Sequence, residues 1–189
     1  MSATRAEDPL AAGLAQNLDE SFEQLVRDYQ DRLFSFACRL TGSREDAEEV
    51  TQDAFVRSYR ALKSYRADRI RALALKAWLY RITLNLARNR LRGKRHRFVP
   101  IETWPAEDDP RSRPDERFAR RRDRADLATL VGGLPERYRN AIVLRYVEGL
   151  RLEEVATILR QPLGTTKSNL HRAVNALRAA ITESRRAGR

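Results

Sequence analysis

The chain has 189 residues, of which 37 are Lys or Arg and 26 are Asp or Glu, so its formal net charge at pH 7 is +11. A single cysteine, Cys38, and two histidines, His96 and His171, exclude a disulfide framework and a Cys/His zinc site built by this chain alone. The surplus of fixed positive charge favours a polyanionic partner, because phosphates are attracted to it and release counterions on binding.

The N-terminal segment carries neither an apolar signal core nor a helical period. It reads MSATRAEDPL, and the apolar runs elsewhere are shorter than the ~20 residues that a membrane span requires. We therefore expect residues 1–18 to form a disordered tail. We also expect a cytoplasmic protein without membrane insertion.

Three helices are predicted within a first domain, which we place at residues 19–98. Apolar residues from Phe22 to Leu40 recur at spacings of three and four, and Thr41-Gly42-Ser43 then ends that helix and caps the next. The second helix is expected from Glu45 to about Leu62, and the third from about Leu73 to Leu91.

The outer face of the second helix mixes acidic with apolar residues. At 100° per residue, Val56 and Tyr59 fall in the same arc as six polar residues, namely Glu45, Asp46, Glu48, Glu49, Gln52 and Asp53. This mixture indicates a surface that binds another protein. The alternative is a solvated face on which a neighbouring helix covers Val56 and Tyr59.

The third helix carries the opposite charge. Four residues at spacings of four, three and four share one of its faces: Arg81, Asn85, Arg88 and Arg92. Asn89 and Trp78 lie between this face and the apolar stripe. Arg can hold phosphates, Asn can bond to a base edge and an aromatic ring can stack on an unpaired base, so the face favours partly single-stranded nucleic acid. Trp78 taken alone is more typical of core packing.

A change of composition marks a linker at residues 99–120. Residues 100–116 hold four of the seven prolines and six acidic residues, without an apolar period.

The second domain is placed at residues 121–183 and a basic tail at 184–189. The C-terminal part of the chain is predicted to contain four helical segments. They are a basic one from about Asp115 to Val131, then Pro135 to Val147, Leu152 to Leu159, and about Pro162 to Ile181. No strand pattern is found, which predicts an all-α protein of two small helical domains joined by a flexible acidic, Pro-rich linker.

The last two helices have the layout of a helix-turn-helix, with a tight turn at Arg160-Gln161. The buried stripe of the second one is Leu170, Val174, Leu177 and Ile181. Its outward residues can donate to phosphates or to base edges in a major groove, and they are Lys167, Ser168, Asn169, His171, Arg172, Asn175 and Arg178.

Both domains resemble one family, the bacterial RNA polymerase sigma factors of the extracytoplasmic function (ECF) group, in the sigma-70 family. The first carries DAEEVTQDAFVRSYRAL and AWLYRITLNLARNRLR, and the second carries LPERYRNAIVLRYVEGLRLEEVATIL and PLGTTKSNLHRAVNAL. The resemblance implies a factor without catalysis or cofactor that binds core RNA polymerase, recognises the minus-ten and minus-thirty-five promoter elements and promotes DNA melting. The partners it implies are the polymerase (β′ clamp and β flap), promoter DNA and an anti-sigma factor.

The resemblance also implies site residues by position. The clamp-binding set is Glu49, Gln52, Asp53, Val56 and Arg57. The minus-ten set is Arg81, Asn85, Arg88, Asn89 and Arg92, with Asn89 at a position where many relatives have Asp. The minus-thirty-five set is Thr166, Lys167, Ser168, Asn169, His171 and Arg172.

Two positions depart from the family pattern. Arg160 occupies a turn position that is often Gly, and a left-handed residue other than Gly costs only ~1 kcal/mol, so the turn is still expected to form. Arg151 occupies a helix start that is often Ser or Thr, and it has no side-chain oxygen to cap that helix. In the linker, the acids Glu102, Glu107, Asp108 and Asp109 either mimic a phosphate chain in a polymerase channel or belong to a solvated spacer.

Two other classes of function remain open on the sequence. One is a helix-turn-helix regulator whose N-terminal bundle dimerises or senses a ligand. The other is an enzyme such as a nuclease. The sequence argues against an enzyme, because it has no P-loop or HExxH motif and because the acids of the second helix lie on a docking face.

Overall fold

The computed structural model describes residues 8–92 and 126–187, and within these ranges the regular structure is helical, without strands. The first range holds α1 (Pro9–Gln16), α2 (Leu18–Thr41), α3 (Arg44–Ser64), α4 (Ala67–Arg71) and α5 (Leu75–Leu91). The second holds α6 (residues 126–132), α7 (Glu136–Ile142), a π-helix (Val143–Val147), α8 (Leu152–Leu159) and α9 (Leu163–Ala187). The all-α prediction is confirmed. Among the described helices, none combines the length and the apolar character that crossing a membrane would take.

Helix α1 lies inside the segment that the sequence predicts to be disordered, so that prediction is wrong for residues 9–16. Asp8 caps the helix by accepting the N–H of Leu10 at 3.1 Å, and Pro9 stands in the first turn, where its missing N–H is harmless. Ala11 and Leu14 are buried, and α1 contacts both α2 and α4. A helix this short depends on tertiary packing, which a periodicity search cannot register.

The predicted helices of the first domain are present, with small shifts at their ends. Gly42 ends α2 in the left-handed conformation (φ +70°), and the Ser43 hydroxyl accepts the N–H of Asp46 at 3.2 Å to cap α3. Helices α2, α3 and α5 pack together around fully buried side chains such as Phe36 and Tyr80. Trp78 is also buried and lies 6.2 Å from the Tyr65 ring, so it is a core residue.

The second domain contains the predicted helix-turn-helix. Arg160 adopts the left-handed conformation (φ 53°, ψ 48°), as the turn requires. Arg151 has no side-chain oxygen to cap α8, but its backbone N–H donates to the Glu154 side chain at 2.8 Å. This bond is one of the two hydrogen bonds of a capping box. The helix predicted to reach Val147 does so, but its last five residues are π-helical, and α9 extends to Ala187, into the predicted tail.

The two domains pack against each other, an arrangement that the sequence does not predict. Helix α5 contacts α8, and the buried apolar residues of both domains form one cluster. The linker predicted at residues 99–120, with its four acids, lies outside the described residues, as does the predicted start of the basic helix at Asp115.

Candidate protein-binding and nucleic-acid-binding surfaces

The outer face of α3 presents all five residues of the clamp-binding set to solvent. Val56 is a large apolar side chain that remains 47% exposed, and it lies among polar and charged residues of the same face, namely Glu49, Gln52, Asp53 and Arg57. An apolar centre with a polar rim is typical of protein interfaces. We call these five residues the acidic docking face.

Two neighbours of this face are placed differently from the prediction. Asp46 is buried rather than outward, because it accepts a hydrogen bond from Arg90 Nε of α5 at 2.8 Å. Tyr59 is covered by α2: its hydroxyl donates to Asp19 at 2.7 Å and its ring packs edge-on against Phe22. For Tyr59 the neighbouring-helix alternative is therefore correct, whereas Val56 keeps its exposure.

The basic face of α5 is only partly open. Asn85, Asn89 and Arg92 are exposed, and Arg81 is half-buried. Arg88 donates from Nε to Glu136 of α7 at 2.8 Å. Arg88, a residue of the predicted minus-ten set, is thus already paired with a carboxylate of the second domain.

A cleft of about 250 Å³ opens between α3 and α5 beside Asn85. Aromatic and aliphatic side chains form its walls, and Arg57 and Asn85 supply polar groups at its edge; the full lining is Arg57, Ala61, Tyr65, Trp78, Ile82, Asn85 and Leu86. The volume is below the range of sites for drug-sized ligands and suits a single planar ring. A polar group beside apolar walls is the arrangement that holds an unstacked base.

Three cations that were not among the predicted site residues follow Tyr65, which forms a wall of this cleft. The Arg69 guanidinium lies 3.6 Å from the centroid of the Tyr65 ring, and Arg66 and Arg71 are exposed nearby on the same short segment. Their sequence, YRADRIR, places three arginines directly after an aromatic residue, which is the signal that could have identified them. Such cations are suited to the phosphates that flank a base in the cleft.

Helix α9 exposes four residues of the minus-thirty-five set: Lys167, Ser168, His171 and Arg172. Asn169 is buried and donates to Gln161 Oε1 at 3.0 Å, so the prediction that it faces outward is wrong. Thr166 is also buried, and its hydroxyl donates to the carbonyl of Pro162 at 3.2 Å. These two side chains fix the turn against the start of α9.

The Tyr138 hydroxyl of α7 accepts a hydrogen bond from Arg137 Nη2 at 3.3 Å. The cationic donors Arg137 and Arg172 lower the pKa of that hydroxyl, because they favour the phenolate. The Arg137 guanidinium also lies 4.7 Å from the centroid of the Tyr138 ring. Arg137 is therefore oriented by Tyr138 before any ligand binds.

Three side chains of the first domain converge on Glu148, which directly follows the π-helix. Arg39 Nη1 donates to Glu148 Oε1 at 2.8 Å, and the Tyr80 hydroxyl donates to Oε2 at 2.6 Å. Lys76 Nζ donates to the Glu148 backbone carbonyl at 3.0 Å. We call these four residues the interdomain clasp.

The ionic core of the clasp is removed from water. The side chains of Arg39 and Glu148 are only 5% and 7% exposed. Burial raises the pKa of the Glu148 carboxyl, although the Tyr80 hydrogen bond and the positive charges of Arg39, Lys76 and Arg32 act in the opposite direction. Burial likewise lowers the pKa of Arg39 despite the charge of Glu148.

Two family models match the chain. Sigma-70 region 2 covers residues 25–97, which include α3 and α5, and Sigma-70, region 4 covers residues 124–177, which include α7 and α8. The chain is 33% identical over 192 residues to the RNA polymerase sigma-H factor of Pseudomonas aeruginosa, covering 94% of this chain and 95% of that protein. With the ECF RNA polymerase sigma factor SigE of Mycolicibacterium smegmatis it shares 37% identity over 163 residues, which are 84% of this chain and 60% of that protein.

Two solved structures share the arrangement. CnrH in complex with the cytosolic domain of CnrY is 27% identical, with a TM-score of 0.68, and the match covers 95% of this chain and 99% of that one. The sigma factor RpoE in complex with the anti-sigma factor NepR from Bartonella quintana is 26% identical, with a TM-score of 0.62, over 86% of this chain and 98% of that one. The two matched regions coincide with the two helical domains, and the chain belongs to the ECF group of RNA polymerase sigma factors, in the sigma-70 family.

Proposed function

We propose that this chain directs core RNA polymerase to promoters in the cytoplasm, binding the β′ clamp with α3, the minus-ten element with α5 and the minus-thirty-five element with α9. The observation that carries the proposal is that two different binding surfaces lie on adjacent helices of one domain. Helix α3 exposes an acidic docking face, and the adjacent helix α5 exposes a basic one beside a base-sized cleft. A DNA-binding module alone needs only the second of these surfaces.

The docking step rests on the acidic docking face. Val56 supplies an exposed apolar contact, and Asp53 supplies a negative charge that is complementary to a basic partner. A patch with an exposed apolar centre and a rim of mixed charge is better suited to a protein than to DNA. The clamp of the polymerase is the partner that the family implies, and the β flap is proposed for the second domain.

The minus-ten step rests on the cleft beside Asn85. A non-template base that leaves the stack can enter the cleft between Tyr65 and Ile82, with the Asn85 amide at a base edge. Extraction of the base costs a few kcal/mol, and contacts to the base and its phosphates must offset that cost. Arg66, Arg69 and Arg81 are suited to those phosphates.

The minus-thirty-five step rests on the exposed residues of α9. Lys167, Ser168, His171 and Arg172 project from the first half of the helix, the part that enters the major groove in helix-turn-helix proteins. Thr166 and Asn169 position the helix rather than contact DNA, since both are buried. An anti-sigma factor is proposed as a further partner, because RpoE of Bartonella quintana is bound to one.

Promoter-specific initiation tests this function against the alternative of a helix-turn-helix regulator. Purified bacterial core polymerase would be mixed with the full chain and a genomic fragment library, and the 5′ ends of the transcripts would be mapped. We expect discrete start sites that share two upstream elements and that are absent with core polymerase alone. A regulator would bind duplex DNA without giving any such transcripts, and that result would contradict the proposal.

A further inference from the structure

We propose that α1 is a positioning element of the base-binding cleft: it holds α4 in place, and α4 in turn holds its arginines beside Tyr65. The inference rests on the proposed function, because it takes the cleft beside Asn85 to be the place that receives an extracted promoter base. It adds a role for residues 9–16, which lie before the part of the chain that the Sigma-70 region 2 model matches, residues 25–97. Helix α1 acts on the DNA only through α4.

Helix α4 is too short to hold its own position. It has five residues, Ala67–Arg71, and no side chain caps its start at Arg66. A helix of this length is not stable in isolation, so its place depends on packing. Among the helices of the described ranges, α1 is the one against which α4 packs extensively. The residue that α4 buries is Ile70, which is 4% exposed.

Helix α1 is itself fixed to the long helix α2. A single residue, Asn17, connects them: its backbone N–H donates to the Gly13 carbonyl at 2.8 Å, and its side chain caps the start of α2. Gly13 lies so close to α2 that a Cβ at this position would be 2.9 Å from Ser21 Oγ. Leu14 is buried and belongs to the same apolar cluster as Ile70. Helix α1 thus connects α4 to the rigid core of the first domain.

The position of α4 matters because this helix carries cations beside the cleft. The Arg69 guanidinium lies 3.6 Å from the centroid of the Tyr65 ring, and that ring is a wall of the cleft. Charge-assisted bonds from guanidinium groups to phosphates depend on direction, so a displaced α4 would lose them. Helix α1 reads PLAAGLAQ and has no charged residue of its own. Its contribution is therefore placement of the cations rather than contact with phosphates.

Hydrogen exchange of the full-length chain, followed by mass spectrometry, tests whether α1 supports α4. Two amides report on α4 directly: the N–H groups of Ile70 and Ala72 donate to backbone carbonyls of the same short segment, each at 3.1 Å. We expect both to exchange about tenfold faster in Leu14→Ala, because local opening becomes easier once the support is weakened. Amides of α5 should keep their wild-type rates.

Leu33→Ala is the matched control for this comparison. It removes the same atoms from another fully buried position of the same cluster, on α2. We expect it to leave the exchange of α4 unchanged relative to that of α5. Ile70→Val, which removes one methyl group from the α4 side of the contact, is the second variant if Leu14→Ala does not fold, and it should accelerate the same two amides.

A double-mutant cycle on promoter opening tests the function of this support. With core polymerase and permanganate footprinting, Arg69→Ala and Leu14→Ala should each reduce the open fraction about fivefold. The double variant should also lose about fivefold, since both changes act through the same contact, whereas independent damage would multiply to about 25-fold. Leu14→Met fills nearly the same volume and should restore opening.

Unchanged exchange of the α4 amides in both Leu14→Ala and Ile70→Val would overturn the inference. So would a multiplicative loss in the double variant, or an equal loss of opening in Leu33→Ala. Failure of the proposed function is read separately, because in that case the wild-type chain gives no promoter-specific transcripts with core polymerase. The exchange rates of α4 are measured without polymerase or DNA and do not depend on that outcome.

Discussion

Arg90 of α5 donates through Nε to Asp46 of α3 at 2.8 Å, and its Nη2 lies 2.5 Å from Glu49 of the same helix. The cation thereby joins the basic helix to the acidic one and neutralises the beginning of the acidic docking face. The charge that remains to meet a partner lies one turn further on, at exposed Asp53 beside Val56.

We therefore predict unequal roles for the two acids of the docking face. Asp53→Arg should weaken binding to core polymerase by about tenfold or more, since a reversed charge is repelled by the surface it formerly matched. Glu49→Gln, whose carboxylate already faces Arg90, should cost less than about threefold. Fluorescence titration with purified core polymerase gives both values. Equal losses would contradict the unequal roles of the two acids, and an unchanged affinity of Asp53→Arg would remove Asp53 from the interface.

Replacement of Asn85 tests the base-binding cleft. Asn85→Ala should reduce the fraction of open promoter complexes about fivefold, corresponding to one hydrogen bond of about 1 kcal/mol, while duplex binding is unaffected. Permanganate reactivity of unpaired thymines measures opening, and an electrophoretic shift of the closed complex measures duplex binding. Gln30→Ala, at an exposed amide of α2, is the control. A bubble of normal size in Asn85→Ala would contradict a role in melting.

The cations of α9 are expected to differ in what they contact. Lys167→Ala should weaken binding to all sequences alike and reduce the salt slope by about one, as loss of a phosphate contact does. Arg172→Ala should cost about 1–3 kcal/mol on the cognate minus-thirty-five duplex if its fork of donors meets a guanine, with specificity relaxed at that position. Binding isotherms at several salt concentrations separate the two cases. Neither residue contacts DNA if affinity and slope both stay constant.

The turn of the helix-turn-helix stores backbone strain at Arg160. Its φ of 53° is unfavourable for a residue with a Cβ, so Arg160→Gly should raise the free energy of unfolding by about 0.5 kcal/mol, after the added flexibility of the unfolded chain is deducted. Gly149 provides the opposite case: φ is +63° and the space around it is open, so Gly149→Ala should lower that free energy by about 0.5 kcal/mol, after the reduced flexibility of the unfolded chain is deducted from the strain. Chemical denaturation of the full chain measures both changes. Destabilisation by Arg160→Gly would show that the arginine side chain has a stabilising contact.

The long helices were predictable because their apolar spacing and their caps depend on residues that are close together in the sequence. Gly42 and Ser43 fix the junction of α2 and α3, and both act within a few residues of their own position. The outward residues of α3 and α9 followed from the same periodicity. It failed at Asp46 and Asn169, where a polar side chain finds a partner and is buried despite its place on the helical wheel.

The contacts between the domains were not predictable in the same way. Glu148 lies 109 residues from Arg39 and 68 from Tyr80, and no local pattern joins positions so far apart. A glutamate between Val147 and Gly149 reads as a surface residue at a helix end. Its burial depends on the position of the whole second domain. Helix α1 was missed for a related reason, since its stability comes from α2 and α4 rather than from its own eight residues.

The π-helix from Val143 to Val147 sets the direction in which the side chain of Glu148 points. A π-turn contains about one residue more than an α-turn, so this segment rotates the subsequent side chains by about 100° relative to a continuous α-helix. Glu148 is the first residue to receive that rotation, and its backbone N–H donates to the carbonyl of Val143, closing the wide turn. A single-residue deletion there, for example of exposed Tyr146, would restore α-helical spacing and turn the carboxylate away from Arg39. The buried ion pair between the domains thus depends on one inserted residue in a helix.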